Sequence, residues 1–342
     1  DSTYNDSFSK SDWRVKINQK NCVPDYIDEV GWALDSSWSQ LINNFGLTPP
    51  IPYTDTKHPS NIYKVIVEAQ DYGYYGVTYP GIKKSSDEKG YSSYMSLRNE
   101  WSASEWSSSG YDKNPADGIR VTCIHEFTHS IQYAMSWNVI GGIYLDDFTL
   151  PWLEGTAASM EDITFPYIDD YIQYSNFYFT TPTISLLKDY VHAYTNSLLF
   201  LYLNKFYGTK TGFITKMHLA NYEEKQQFDE NLNNTSRSFG KDWVELLNEF
   251  HTASYFTNSR ADTGIFLSDA PKFSKWNYPV DQSNGSRATK TVNPYSMERF
   301  YIPSQDTGCD NLLITLQGNV HTSETGAKDW AASIILTTDS GP

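Results

Sequence analysis

Two histidines four residues apart, with a glutamate directly after the first, form the run His125-Glu126-Phe127-Thr128-His129 inside VTCIHEFTHSIQYAMSW. Residues i and i+4 share one face of a helix, so two imidazoles at that spacing can bind one metal ion. Glu126 lies beside that face, where a carboxylate can take a proton from a water activated by the metal. This chemistry requires a helix, and the flanks supply one. Val121, Ile124, Thr128, Ile131 and Met135 recur at helical spacing, uninterrupted by Gly or Pro. A pair of ordinary surface or core histidines is the plain alternative.

A catalytic zinc generally takes three protein ligands, and two His plus one Glu is a common set. Glu154 stands 25 positions after His129, in PWLEGTAASMED, which reads as a second helix opened by Pro151. Its neighbours Gly155, Thr156, Ala157 and Ala158 are small and would let this helix approach the first closely. Asp146 and Asp147 are rival ligands in a Gly-rich connection, Gly141-Gly142-Ile143-Tyr144. The bland reading of Glu154 is a charge complementing the dipole of a helix N-terminus.

With both pieces in view, HEFTHSIQ followed by WLEGTAASMED resembles the gluzincin metallopeptidases, and within them secreted microbial enzymes carrying HEFFHAIQ and W-x-EGTA-x-WMED signatures. The likeness runs from about residue 12 to 256, through Pro24-Asp25-Tyr26-Ile27-Asp28-Glu29-Val30, Tyr75-Gly76, Ser92-Ser93-Tyr94-Met95, Ile168-Asp169-Asp170-Tyr171 and Ser197 to Leu203. It implies a zincin-like fold and a zinc-dependent peptidase, read here as an endopeptidase. His125, His129 and Glu154 would be the zinc ligands and Glu126 the general base.

Peptide hydrolysis also needs a donor for the developing oxyanion. Tyr194 is the candidate, because Tyr194 to Leu203 is similar to the tyrosine-bearing helix of aminopeptidase-type gluzincins, with Ser197 where that pattern has Gly. Tyr190, His192, His218 and His251 are rivals. Zinc-bound histidines usually donate their second N–H to a carboxylate or carbonyl. Glu161, seven positions after Glu154 on the same helical face, or the adjacent Asp162, could fill that role for His125 or His129. For substrate, the strand-like run Tyr91 to Leu97 would hold an extended peptide by backbone pairing, through Ser93, Tyr94 and Met95. Tyr74, Tyr75, Tyr79, Trp101 and Trp106 would line subsites or fill the core. Relatives carry a calcium loop before the Asp25-Tyr26 element. Here Asn18-Gln19-Lys20-Asn21-Cys22-Val23 lacks the carboxylates that Ca2+ requires, so a calcium ion is unsupported.

Composition sets the outer bounds. A chain of 342 residues, 39% hydrophobic, can bury a large core and suggests two domains. The formal charge of −15, from 26 basic against 41 acidic residues, argues against nucleic acid or an anionic membrane as partner. No apolar run is long enough for a membrane span. The remaining partner expected is a protein or peptide substrate, acted on by a monomer. The chain starts at Asp1 without Met, as a trimmed or mature form would after loss of a signal peptide. With abundant Ser, Asn, Tyr and Thr, this points to a secreted, extracellular protein. Cys22, Cys123 and Cys309 permit one disulfide at most; Cys123 reads as a small core residue. Sequons at Asn5, Asn233, Asn234 and Asn284 matter only in a host that glycosylates.

The elements needed to position the site follow from periodicity. Trp13 to Ile17 alternates as a strand, Asp25 to Phe45 reads as a helix ended by Gly46, and Tyr63 to Glu68 and Tyr91 to Arg98 read as strands. Ser102 to Gly118 reads as a surface loop near the cleft. Beyond Tyr167 helices are expected over Ser185 to Phe206, Thr211 to Tyr222 and Lys241 to Tyr255. From Thr257 the prolines 271, 279, 294 and 303 punctuate short runs, Arg299 to Ile302, Leu312 to Leu316 and Ala332 to Leu336, expected to form a β-sandwich. The chain stops at Pro342 just after the last run, so that module is expected to be incomplete. The class is α+β: a zincin-like domain over 1–256, with a β-containing part at 12–118 and a helical part at 119–256, followed by a β-rich module over 257–342. The competing class is a non-catalytic secreted adhesin with a vestigial metal site.

Overall fold

The computed structural model describes residues 23–53, 62–69, 74–81, 90–101, 110–111, 114–135, 139–140, 143–144, 149–186, 190–224, 228–276, 296–297 and 331–335. The fold is mixed α+β. Helix α1 (Asp25–Trp38) runs into a wider π-helical turn (Ser39–Asn44) and stops at Gly46, whose φ of 77° suits only glycine readily. A small sheet follows, built on the central strand β4 (Ser92–Arg98). Strands β1 (Ile51–Pro52) and β2 (Val65–Glu68) pair in parallel with the start and end of one edge of β4. The other edge pairs antiparallel with β3 (Gly76–Pro80), from Gly76 opposite Leu97 to Pro80 opposite Ser93.

Helix α2 (Pro115–Ala134) carries both histidines and packs against α1 and the sheet. It begins at Pro115, where a missing N–H costs nothing, so the end of the expected surface loop, Pro115 to Gly118, is helix instead. Almost every residue from Ala116 to Ala134 is buried, which gives the helix a fixed frame on all sides. On one side Arg120 reaches Glu29 of α1 at 2.8 Å and lies over the Trp32 and Tyr167 rings. On the other, the Tyr63 hydroxyl bridges Ser93 of β4 and Ser130 of α2 at 2.7 and 2.6 Å.

Helix α3 (Thr149–Thr164) packs along α2 and brings Pro151 into its first turn. Behind it lie α4 (Ile172–Thr180), α5 (Tyr190–Thr195), α6 (Ser197–Tyr207), α7 (Phe213–Glu224), α8 (Phe228–Ser238) and α9 (Trp243–Ala253). The helix expected over 185–206 is therefore broken at Asn196, whose amide is spent on the Pro151 and Leu186 carbonyls. Thr257 to Trp276 contains two short 3-10 turns and no strand. Phe266 and Phe273 join the helical core beside Phe250 and Phe179. Most of the expected β-sandwich lies outside the described residues, as do the Trp13 to Ile17 run, Cys22, Cys309, Asn5 and Asn284; the described part of the expected Ala332 to Leu336 strand, 332–335, is not a strand. Cys123 is buried, and burial raises its thiol pKa well above the usual range, so it is an inert core residue. No helix among the described residues is long and apolar enough to cross a membrane.

The closeness of α3 to its neighbours rests on Gly155. A Cβ there would stand 2.6 Å from both Asn196 Cβ and the buried Phe200 ring. Gly155→Val is expected to destabilise the fold by about 1–3 kcal/mol through overpacking. Gly31→Ala, on the exposed side of α1 with nothing within 4 Å, should be neutral or stabilise by about 0.5–1 kcal/mol. Denaturant midpoints of the two variants check the contrast.

Candidate metal centre

One turn of α2 separates His125 from His129, and their rings meet edge-on, 4.7 Å between centroids and 81° between planes. The two Nε2 atoms are 3.1 Å apart. From α3, Glu154 Oε2 stands 3.2 Å from the His125 nitrogen and 3.5 Å from that of His129. Ligands held at 2.0–2.1 Å by a tetrahedral ion lie roughly 3.3 Å from one another. The three donor atoms therefore already have the separations that such an ion requires. Each of the three side chains is still 11–12% exposed. Among the described residues the set has three donors, and a structural zinc site is closed by a fourth protein ligand.

The second nitrogen of each ring explains why the donor atoms point inward. His125 Nδ1 meets Glu161 Oε1 at 2.7 Å, and His129 Nδ1 donates to Gln132 Oε1 at 2.8 Å. The Gln132 amide is oriented in turn, since its Nε2 donates to the Leu153 carbonyl and Thr156 hydroxyl of α3. An acceptor at Nδ1 favours the N–H there and turns the Nε2 lone pair toward the centre. Three lone pairs within 3.5 Å repel unless a cation sits among them. A proton meets that need in part. Burial opposes charging His125, yet the hydrogen bonds and charges of Glu154 and Glu161 outweigh it and hold the ring well above its ordinary pKa. His129 is raised likewise, chiefly by Glu154 against burial. Burial would raise Glu154, but the two imidazoles overcome it and keep the carboxyl below the usual range. Burial lifts Glu161 to about 8, against His125 and with Asp170 adding to it.

Glu126 is buried, and its Oε2 accepts a 2.7 Å hydrogen bond from Thr78 of β3. The Tyr194 ring stacks on His125 at 5.8 Å and 17°, and rests against Tyr174. Tyr194 thus joins the centre, while two rivals do not. His218 Nδ1 donates to the Ile214 carbonyl behind α3, and burial lowers its pKa to about 4, the behaviour of a neutral core histidine. His251 bonds Tyr178 in the helical core. The side chains of Tyr190 and His192, and residues Asp146 and Asp147, lie outside what is described.

Two expectations need correction. Of the two acidic residues at the end of α3, Glu161 meets His125, but Asp162 does not reach either histidine. Asp162 faces Asp169 and Asp269, with their oxygens within 4.8 Å, and Lys272 bridges the latter two at 2.6 and 2.7 Å. The peptide-pairing role of Ser93, Tyr94 and Met95 is also excluded. Both edges of β4 are hydrogen-bonded, to β1 and β2 on one side and β3 on the other, so no backbone group is free for a peptide. Ser93 and Met95 are fully buried, and the Tyr94 ring stacks on Tyr79. Of the proposed subsite aromatics, Tyr75 and Trp101 pack together with Tyr111, Tyr74 and Tyr79 are exposed, and Trp106 is outside the described residues.

Burial and then the charges of Asp269 and Asp169 raise the Asp162 pKa from 3.8 to about 7. The native state holds this proton between those values while the unfolded chain does not, so stability falls as pH rises across that window. Asp162→Asn is therefore expected to melt with the wild type near pH 4 and several degrees above it at pH 8. Melting curves at the two pH values decide it.

Two partners were not foreseen. Gln132 sits three residues after His129, a spacing that places it on the same face, so a search for amides as well as carboxylates would have found it. Thr78 carries no local signal. Comparison with known proteins finds no match: no family, no curated protein and no solved structure resembles this chain closely enough to inform its function.

Proposed function

We propose that this chain is a zinc-dependent peptidase of the gluzincin type, secreted and acting on protein or peptide substrates. The observation that carries the proposal is the trio of Nε2, Nε2 and Oε2 atoms 3.1–3.5 Å apart, with the carboxylate of Glu126 on the next position of the same helix. Two imidazoles and one carboxylate suit zinc better than the hard cations, which prefer oxygen alone. When bound, zinc supplies Lewis-acid polarisation of the scissile carbonyl and lowers the pKa of water.

The chain's own residues do the rest. Glu126 takes the proton of the attacking water and passes it to the departing amine. Tyr194, whose ring stacks on His125, donates to the oxyanion of the tetrahedral intermediate in this reading. Glu161 and Gln132 hold the ligand rings in the required tautomer. An extended substrate docks on β3, since among the described residues no strand pairs with its outer edge. The zincin-like architecture and a β-sandwich after residue 276 belong to the same reading.

Digestion of a proteome-derived peptide library by the zinc-loaded protein, with and without chelator, tests the proposal. Chelator-sensitive cleavage at internal bonds supports an endopeptidase. Zinc bound at one equivalent with no cleavage of any peptide would favour the adhesin class instead.

A further inference from the structure

We infer that Thr78 is the positioning residue for Glu126, so that one strand, β3, both presents the substrate edge and aims the general base. The inference rests on the peptidase reading above and adds a residue to it that lies 48 positions from Glu126 in the chain.

Strand β3 crosses α2 at unusually close range. A Cβ on Gly76 would come 2.8 Å from Thr122 Cγ2 and 2.9 Å from Glu126 Cγ, so the glycine lets the strand lie directly on the glutamate side chain. Side chains two apart on a strand share a face, and Thr78 accordingly also faces the helix. Its Oγ1 is 2.7 Å from Glu126 Oε2 and 2.9 Å from the Glu126 carbonyl. A hydroxyl has one proton, and the nearer, charged carboxylate oxygen is the stronger acceptor. Thr78 and Glu126 are only 7% and 5% exposed, so the bond faces little competition from bulk water.

A glutamate side chain has three rotatable bonds, and a base serves only in the geometry where its free oxygen meets the nucleophile. Thr78 ties down one carboxylate oxygen and leaves the other for the water. Because Thr78 belongs to the strand whose far edge would pair with a peptide, any shift of β3 on docking is passed directly to the base. Thr78 touches neither metal ligand nor substrate in this role; it acts through Glu126.

The test compares Thr78→Ala and Thr78→Ser with the wild type, each loaded with one equivalent of zinc, on a peptide that the wild type cleaves. The alanine variant is expected to lose about 10- to 100-fold in kcat with KM within about twofold and zinc content unchanged. Serine, which keeps the hydroxyl, should restore kcat to within a few-fold of the wild type. A crystal structure of Thr78→Ala should show the Glu126 carboxylate displaced. The inference is overturned if alanine leaves kcat intact, if serine is as damaged as alanine, or if Glu126 keeps its place without the hydroxyl. Should Thr78→Ala not fold, the same comparison is made with Thr78→Val, which preserves shape and removes only the donor. A wild type inert toward every peptide defeats the peptidase reading itself, whereas an active wild type indifferent to Thr78 defeats this inference alone.

Discussion

Glu126→Gln is expected to keep one equivalent of zinc, melt within a few degrees of the wild type, and lose about 10³-fold or more in kcat. A positioned general base contributes roughly 10²- to 10⁴-fold, and in the proposed mechanism the same group would deliver the proton to the leaving amine, so both transfers would fail together. The amide is nearly isosteric with the carboxylate. Its oxygen can still accept from Thr78, and neither histidine bonds Glu126, so the three donor atoms should not move. The measurement pairs metal analysis with turnover. Retained zinc and retained turnover would remove Glu126 from the mechanism. Lost zinc would mean that Glu126 supports the metal site instead of the chemistry.

The second large effect concerns the metal and its third ligand. Glu154→Ala removes one of three donors and should release zinc by more than the roughly 10- to 100-fold expected for losing a partner such as Glu161. Turnover should fall to background at micromolar zinc. Stability follows with a pH dependence whose sign is set by the site. In the metal-free protein, His125 and His129 have raised folded pKa values. Their stabilising effect is thus complete below the unfolded value near 6.5 and lost as pH rises through the folded one. Glu154 is the opposite case, lowered on folding, so its contribution is present above about 4.5 and lost only in acid. At low pH protons therefore occupy the nitrogens and compete with zinc, and that competition weakens as pH rises. The wild-type melting temperature should rise on adding zinc, by less at pH 5.5 than at pH 8; saturation at 100 times Kd is worth about 2.7 kcal/mol. Glu154→Ala should show no such rise at either pH.

The helix positions illustrate what periodicity can carry. His125, His129 and Glu126 were legible because a helix repeats every 3.6 residues whatever surrounds it. Glu161 followed from Glu154 by the same rule, since seven residues make two turns. Asp162, one position further, points about 100° away and meets Asp169 and Asp269 instead. The end of the first helical stretch was set by a local signal as well, Gly46, whereas Pro115, which opens α2, falls in the stretch that reads as a surface loop. Helix α8 escaped notice because its Asn-rich stretch is polar, with low helix propensity, and is held by burial of Leu232 and Asn231 against α7.

The sheet shows the limit of such reasoning. Ser92 to Arg98 has the composition of a strand, but nothing in those residues says whether an edge is open. That depends on where β1, β2 and β3 come to rest, and all three settle against it. The Ser-rich face that invited a docking role is buried and braced by Tyr63. Likewise nothing near Glu126 announces Thr78, and nothing near His218 or His251 distinguishes a core imidazole from a catalytic one until their neighbours are known.

From residue order came the two histidines and the adjacent glutamate of one helix, because spacing along a helix is a local property of the chain, and Glu154 as the candidate third donor on a second helix. The β3 edge that no described strand pairs, the Thr78 hydroxyl on Glu126 and the paired edges of β4 came from packing between distant segments. Hydrogen bonds and steric contacts across tens of residues have no period to read; they exist only once the chain has closed on itself.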